Sequence, residues 1–354
     1  MKIPWKPSTS PRLTTNNFDL LRLLFAATVC LVHAHTLSGY QSLSWIPTLL
    51  SSDIAVQAFF VVSGFLIFMS YERSSSLASY TSKRVRRIYP AYFTIIMLCA
   101  ASLWVVSSLG LNDYFSLGWL KYVISNLLFM NFVQQNLPGV FEGHRLNAVN
   151  GALWTLKIEV MFYISVPIFV TLFRRLGHLP VILATYLLSL LYAALLTGYA
   201  ERTGSEIYLE LARQLPGQLM YFMAGAFLFY FLPLFERRIV YFVAFASLIF
   251  LLRAHLPLAA LEPFALASLV AFFGLYGYVG NFSRYGDFSY GVYIIHFPVI
   301  QLFLHYGIFK TQPGAYLMLV VITTLLGAML MWHVVEKRFL LRNNHYVVGT
   351  ASPA

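Results

Sequence analysis

Histidines, carboxylates and guanidinium groups set inside or beside long apolar runs are the side chains of this sequence best able to do proton-transfer or anion chemistry. The first set is Asp19-Leu-Leu-Arg22, followed by His33-Ala-His35. On a helix, the step from Arg22 to His33 is three turns plus about 20°, so both side chains share a face about 16 Å apart along the axis. His35 is rotated about 200° from His33 and points elsewhere. Asp19, three residues before Arg22, is placed to pair with it. His33 is then either a packed ring hydrogen-bonded to a neighbour or a neutral imidazole held in place as a general base.

Four further stretches carry polar chemistry. Ser63-Gly64, in Phe59-Phe60-Val61-Val62-Ser63-Gly64-Phe65, either lets helices pack closely or leaves a slot for a thin substrate arm. Arg84 and Arg87, in Lys83-Arg84-Val85-Arg86-Arg87, share a face if this segment is helical, and Arg86 does not. The stretch is a topology anchor beside anionic lipid or, through the paired guanidinium groups, a clamp for phosphate oxygens. Trp154-Thr155-Leu156-Lys157-Ile158-Glu159 stacks Thr155 on Glu159, and the carboxylate is either an ion-pair partner or a catalytic or substrate-binding group. Ser289, Tyr293 and His296 line one face of a run in which Pro298 frees the carbonyl four residues earlier. His333 and Glu336 near the last apolar run admit the same two kinds of reading, packing or chemistry.

The elements that position these residues are set by lipid. The 354 residues are 59% hydrophobic and 10% charged, with mean hydropathy +0.71. Apolar runs of roughly 18 to 25 residues follow one another, each long enough to cross a hydrocarbon core about 30 Å thick. Runs of that length satisfy their backbone in lipid only as helices, so the fold class is all-α and polytopic. About ten spans are expected, near 19–40, 53–71, 91–110, 151–173, 179–199, 212–233, 239–253, 262–280, 288–307 and 314–335. With the N-terminus inside, roughly 17 of the 24 Lys and Arg fall on the inner side, so both termini are expected in the cytoplasm. The first run is too long for a signal-peptide core and carries Arg22, so it reads as a retained helix.

The net charge of +11 is spread between spans rather than gathered on one surface, which speaks against a nucleic-acid partner. Cys30 and Cys99 both fall in spans, so neither a disulfide framework nor a Cys-rich metal site is expected. Residues 1–342 read as one membrane domain and 343–354 as a short cytoplasmic tail. The oligomeric state is left open.

Taken together and in this order, the motifs resemble the acyltransferase-3 superfamily, integral membrane enzymes that acylate surface polysaccharides, lipopolysaccharide O-antigens, lipo-oligosaccharide signals and some macrolides. The resemblance rests on Asp19-x-Leu-Arg22 with His33, Phe-Phe-Val-Val-Ser63-Gly64-Phe, Arg84-x-x-Arg87-Ile-x-Pro90-x-Tyr92, Trp154-Thr155-Leu-x-x-Glu159-x-x-Phe-Tyr163, and Ser289-Tyr-x-x-Tyr293-x-x-His296-x-Pro298. It runs from Asn17 to about Phe339. Leu23 stands where the family often has Gly, and Thr155 where it often has Ser; neither removes a reacting group. The resemblance implies His33 as catalytic histidine and Arg22 as its same-helix partner; Asp19 and Glu159 are expected to join them. It implies Arg84 with Arg87 as the pair on the side of an acyl-CoA donor, acetyl-CoA being the common one; Ser63, Gly64 and Tyr92 are expected on that side as well, and Trp154, Thr155, Tyr293 and His296 toward a glycan or glycolipid acceptor. No metal is implied, and the expected location is a bacterial inner membrane.

The expected chemistry is proton removal from an acceptor hydroxyl by His33 as that oxygen attacks the thioester; an acyl-histidine relay is the variant. His33 lies about 21 Å along the helix from Asp19, past the middle of the bilayer toward the outside. The outer segment from about 111 to 150 is the expected approach for the acceptor, and its part from Leu117 to Phe132 is apolar enough to lie in the interface or re-enter the membrane. The rival class is a transporter or flippase using His33, Glu159 and His296 as a proton relay or cargo site. The lack of an inverted repeat speaks against it.

Overall fold

The structure is a computed structural model that describes residues 10–340. The tail expected at 343–354 lies outside the described residues. Among the described residues the regular structure is helical throughout. The principal helices are α1 (Phe18–Ser38), α2 (Ser52–Glu72), α3 (Leu77–Ser102), α4 (Leu117–Leu127), α5 (Trp154–Leu176), α6 (His178–Thr203), α7 (Leu215–Tyr230), α8 (Ile239–Leu252), α9 (Glu262–Leu275), α10 (Ser289–His305) and α11 (Pro313–Met331). Each expected span overlaps one of them, α4 being the additional helix in the 111–150 segment. Six helical segments among the described residues are long and apolar enough to cross a membrane. The helices α7 to α10 are 14 to 17 residues long and fall short of that measure.

The third expected span is corrected by the structure. The basic stretch is not a connection between helices: α3 begins at Leu77 and carries Lys83 to Arg87 within it. Ser76 starts this helix early, its side chain accepting from the Ser79 N–H and its carbonyl from the Tyr80 N–H. Hydropathy places the span later because it counts the arginines as unburied charge and cannot see their partners.

The chain divides into two compact units. One comprises residues up to Leu21, Val56–Thr81 and Ile158–Gly280. In it α6 packs on α7, α8 on α9, and α7 on α9. Gly64 of α2 lies so close to α7 that a Cβ would meet the Phe222 carbonyl oxygen at 2.0 Å, and a Cβ on Gly225 would meet the Val61 oxygen at 2.1 Å. These reciprocal small-residue contacts are the close packing that membrane helices use. They favour the packing alternative at Gly64 over a slot, because backbone fills that face. Asn17 ties the start of α1 to the end of α9, its side-chain amide donating to the carbonyls of Phe273, Tyr276 and Gly277.

The other unit comprises Arg22–Ala55, Ser82–Lys157 and the chain from Asn281. Its central element is α10, buried without a break from Ser289 to Pro298, with Ile300 and Gln301 also buried. A helix enclosed on every side needs partners for each polar group it carries. Pro298 leaves the Ile294 carbonyl without its helical donor, and the Asn150 amide supplies one at 2.8 Å. The buried Gln301 amide donates to the carbonyls of Leu146 and Ala148, and its oxygen lies 2.8 Å from His144 Nδ1. These bonds fasten the loop before α5 to the far half of α10.

Candidate active site

Two sets of contacts join α1 to α10 within this unit. The first is ionic. Arg22 Nη1 lies 2.7 Å from Asp287 Oδ2, and Arg87 of α3 pairs with the same carboxylate oxygen. Arg87 also reaches Glu336 Oε2 at 3.0 Å. The second Asp287 oxygen accepts from the backbone N–H and the hydroxyl of Ser289 at the start of α10. Glu336 ends a wide π-helical turn, Trp332–Glu336, that follows α11. Gly286 makes room, since a Cβ there would lie 2.4 Å from Trp332 Nε1.

Asp287 lies in the connection before α10, outside the long spans. Burial acts to raise its pKa, but the two guanidinium groups and the Ser289 donors outweigh burial and hold the carboxyl below the usual aspartate value. Two arginines and two carboxylates make this buried cluster formally neutral, which makes its enclosure tolerable.

The second contact lies further along both helices. His33 Nδ1 is 2.8 Å from His296 Nε2, while His296 Nδ1 is 3.1 Å from the Val292 carbonyl oxygen. A carbonyl only accepts, so His296 carries its proton on Nδ1. A fully buried imidazolium would be costly, so the ring is neutral and its Nε2 accepts. His33 must then donate from Nδ1, which leaves the lone pair on His33 Nε2. His33 is only half-buried, so that lone pair belongs to the accessible member of the pair. An oriented neutral imidazole of this kind is equipped to take a proton from a hydroxyl.

Beside the pair, the Tyr293 hydroxyl is 2.6 Å from Thr155 Oγ1, and Thr155 also bonds the Ala152 carbonyl. Either Ser or Thr supplies that hydroxyl, so Thr155 preserves the contact. The Tyr293 ring stands 5.9 Å from the His296 ring, centroid to centroid.

The profile of the acyltransferase-3 family, described as an acyltransferase domain, matches residues 15–333. The chain belongs to the acyltransferase-3 family. Within this family of acyl-transferring membrane enzymes, the chain is 28% identical to the O-acetyl transferase of Shigella phage Sf6 over 351 residues, covering 93% of this chain and 97% of the phage protein. It is 34% identical to nodulation protein 10 of Rhizobium leguminosarum bv. viciae over 169 residues, 45% of each chain, so the match spans just under half of that protein. No solved structure matches significantly.

For this acyltransferase, the structure brings His33, His296, Tyr293 and Thr155 into neighbouring contacts and ties Arg22 to Arg87 through Asp287. Trp154 is half-buried beside Thr155. Arg84 is half-buried one turn before Arg87, whereas Arg86 is exposed and bonds Ser82 Oγ. Tyr92 is fully buried, its hydroxyl donating to the Asn126 carbonyl at 2.7 Å and its ring stacked on Phe129. Its surroundings are those of a packing residue. Asp19, Ser63, Gly64 and Glu159 belong to the first unit, where Glu159 accepts from the Tyr163 hydroxyl at 2.6 Å.

Sequence reasoning missed Asp287, Asn150 and Gln301. For Asp287 a signal was present: a buried arginine in a first span needs an acid, and this one stands two residues before the Ser289 motif. Asn150 could have been sought as the donor for the carbonyl that Pro298 frees.

Proposed function

We propose that this protein is an O-acetyltransferase that uses His33 Nε2 as general base to pass an acetyl group from cytoplasmic acetyl-CoA to a hydroxyl of a cell-surface glycan or glycolipid, in a bacterial inner membrane. The observation that carries the reading is the hydrogen-bonded order Val292–His296–His33, which leaves the accessible nitrogen of His33 as the acceptor. The near full-length similarity to a phage O-acetyl transferase supports the oxygen acceptor and the acetyl donor.

As the acceptor hydroxyl attacks the thioester carbonyl, its proton passes to His33 Nε2. The tetrahedral intermediate collapses with cleavage of the carbon–sulfur bond, and His33 returns the proton to the departing CoA sulfur. The products are the acetyl ester and CoA thiol. His296 keeps the His33 ring in one orientation throughout, with the proton on Nδ1 held in place while Nε2 gains and loses its own. On the donor side, Arg84 contacts CoA phosphates, and Arg87, already spanning two carboxylates, sets the position of the helix that carries Arg84.

Mass spectrometry of surface glycans from cells carrying wild-type protein, His33→Ala or no gene tests the reading. Acetyl esters are expected with the wild type alone, at equal membrane levels of both proteins. Acetylation by His33→Ala at the wild-type level would end the assignment.

A further inference from the structure

At the end of α10 opposite Asp287 lies a pocket of about 270 Å³, lined by Val105, Val106, Ser107, Ser108, Gly139, Phe141, Glu142 and His305. His296 is nine residues from both Asp287 and His305, so the pocket and the ionic cluster are about 27 Å apart along α10 with the histidine pair midway. We propose that this pocket is a subsite for one neutral sugar ring of the acceptor. The inference rests on the acyltransferase reading and extends it.

The pocket is built rather than incidental. The Ser108 N–H donates to the Gly139 carbonyl and the Ser107 hydroxyl to the Pro138 carbonyl, clamping the segment after α3 against the loop at 138–142. Gly139, at φ +69°, fits only because it has no side chain: a Cβ would lie 2.5 Å from Ser107 Oγ. Phe141 is held at φ +57°, a left-handed conformation that a bulky residue adopts only when its surroundings impose it. Behind it, Gln301 pins the Leu146 and Ala148 carbonyls, so the wall has a buried support.

The lining chemistry selects the ligand. The exposed Val105 offers apolar surface to a C–H face of a pyranose, with the buried Val106 and Phe141 packed behind it. Ser108, whose hydroxyl donates to Glu142 Oε2 at 3.3 Å, Glu142 and His305 offer donors and acceptors to its hydroxyls. Glu142, Ser108 and His305 are exposed and accessible to an entering ligand. A carboxylate favours hydroxyl donors and repels phosphate or uronate, so the sugar is neutral. The volume lies just below the range of about 300–1,000 Å³ for pockets that enclose drug-sized ligands, which sets the size at a single ring.

Saturation-transfer NMR on the full-length protein in nanodiscs tests this with methyl glycosides of glucose, galactose, mannose, rhamnose and N-acetylglucosamine. At least one should give a signal that falls tenfold or more in Val105→Trp, which fills the pocket, and about fivefold in Glu142→Gln. His33→Ala should retain it. Absence of signal from every glycoside, or a wild-type signal in either variant, overturns the proposal. Should Val105→Trp fail to fold, the exposed Glu142→Gln decides alone. The readout is binding, so loss of the subsite and loss of the acyl-transfer reading are seen separately.

Discussion

Replacing His296 tests the proton order on which the mechanism depends. In His296→Leu, His33 Nδ1–H loses its acceptor at 2.8 Å, and nothing then holds the lone pair on Nε2. A neutral hydrogen bond is worth about 0.5–1.5 kcal/mol, a two- to tenfold bias between tautomers. The larger loss is positional, because a reacting group displaced by about 1 Å costs on the order of a hundredfold. Together these predict a fall in kcat of about 10²–10³, with KM for acetyl-CoA unchanged, since His296 touches no proposed donor contact.

Gln is the informative comparison, because its side-chain oxygen can stand near the position of His296 Nε2 and accept from His33. His296→Gln should recover to within about tenfold of wild type. The assay is acetyl-CoA-dependent release of CoA in membranes that carry the native acceptor, corrected for folded protein by thermal melting in detergent. A packing role would lower the melting temperature of both variants and leave kcat per folded molecule alike. Activity of His296→Leu within threefold of wild type, or equal activity of folded Leu and Gln variants, would refute the relay.

Asp287→Ala leaves Arg22 and Arg87 facing one another in a buried site and is expected to cost about 3–5 kcal/mol, read as a large drop in melting temperature. Because Asp287 is held below its unfolded pKa, its stabilisation is fully present above the ordinary aspartate range. It is lost as pH falls through the lower folded value, so melting temperatures of wild type and Asp287→Ala should converge only below that range. Arg84→Ala should raise KM for acetyl-CoA at an unchanged melting temperature; Arg87→Ala should destabilise, and Arg86→Ala should do little. Equal effects from all three in donor KM and melting would reduce the stretch to a topology anchor. In a background lacking Cys30 and Cys99, an impermeant thiol reagent applied outside intact cells should label Glu142→Cys and not Ser82→Cys; labelling at 82 would invert the topology.

The all-helical class was legible because lipid leaves a long apolar run little choice of conformation. The shared face of Arg22 and His33 was legible too, as helical phase alone sets it, and both face α10 in the structure. The partners were not legible. Asp287 and His296 reach α1 from more than 260 residues away: an arginine in a span calls for an acid, but spacing alone does not say which acid answers it. Arg87 shows the consequence: from spacing it is the twin of Arg84, yet its guanidinium spans two carboxylates. At Gly64 the sequence left packing and a slot open, and the backbone of α7 fills that face.

The two ties between α1 and α10 also fix their relative direction. Arg22 meets Asp287 and His33 meets His296, so both helices advance the same way along the unit. Arg87, early in α3, meets the beginning of α10, and Glu336, after the end of α11, arrives at the same place. Helices α1, α3 and α10 are the first, third and ninth of the expected spans and α11 is the tenth. Odd spans that begin together, with an even span ending there, are what ten successive crossings require. On the proposed topology the ionic cluster marks the end at which the odd spans begin, the side that the excess of Lys and Arg would place in the cytoplasm. Val105, Glu142 and His305 lie at the other end, after α3 and α10 have run their length. On the proposed reading, the donor reaches His33 from the end bearing Arg84, the acceptor from the end bearing Glu142, and the half-buried imidazole is the point at which the acetyl group changes sides.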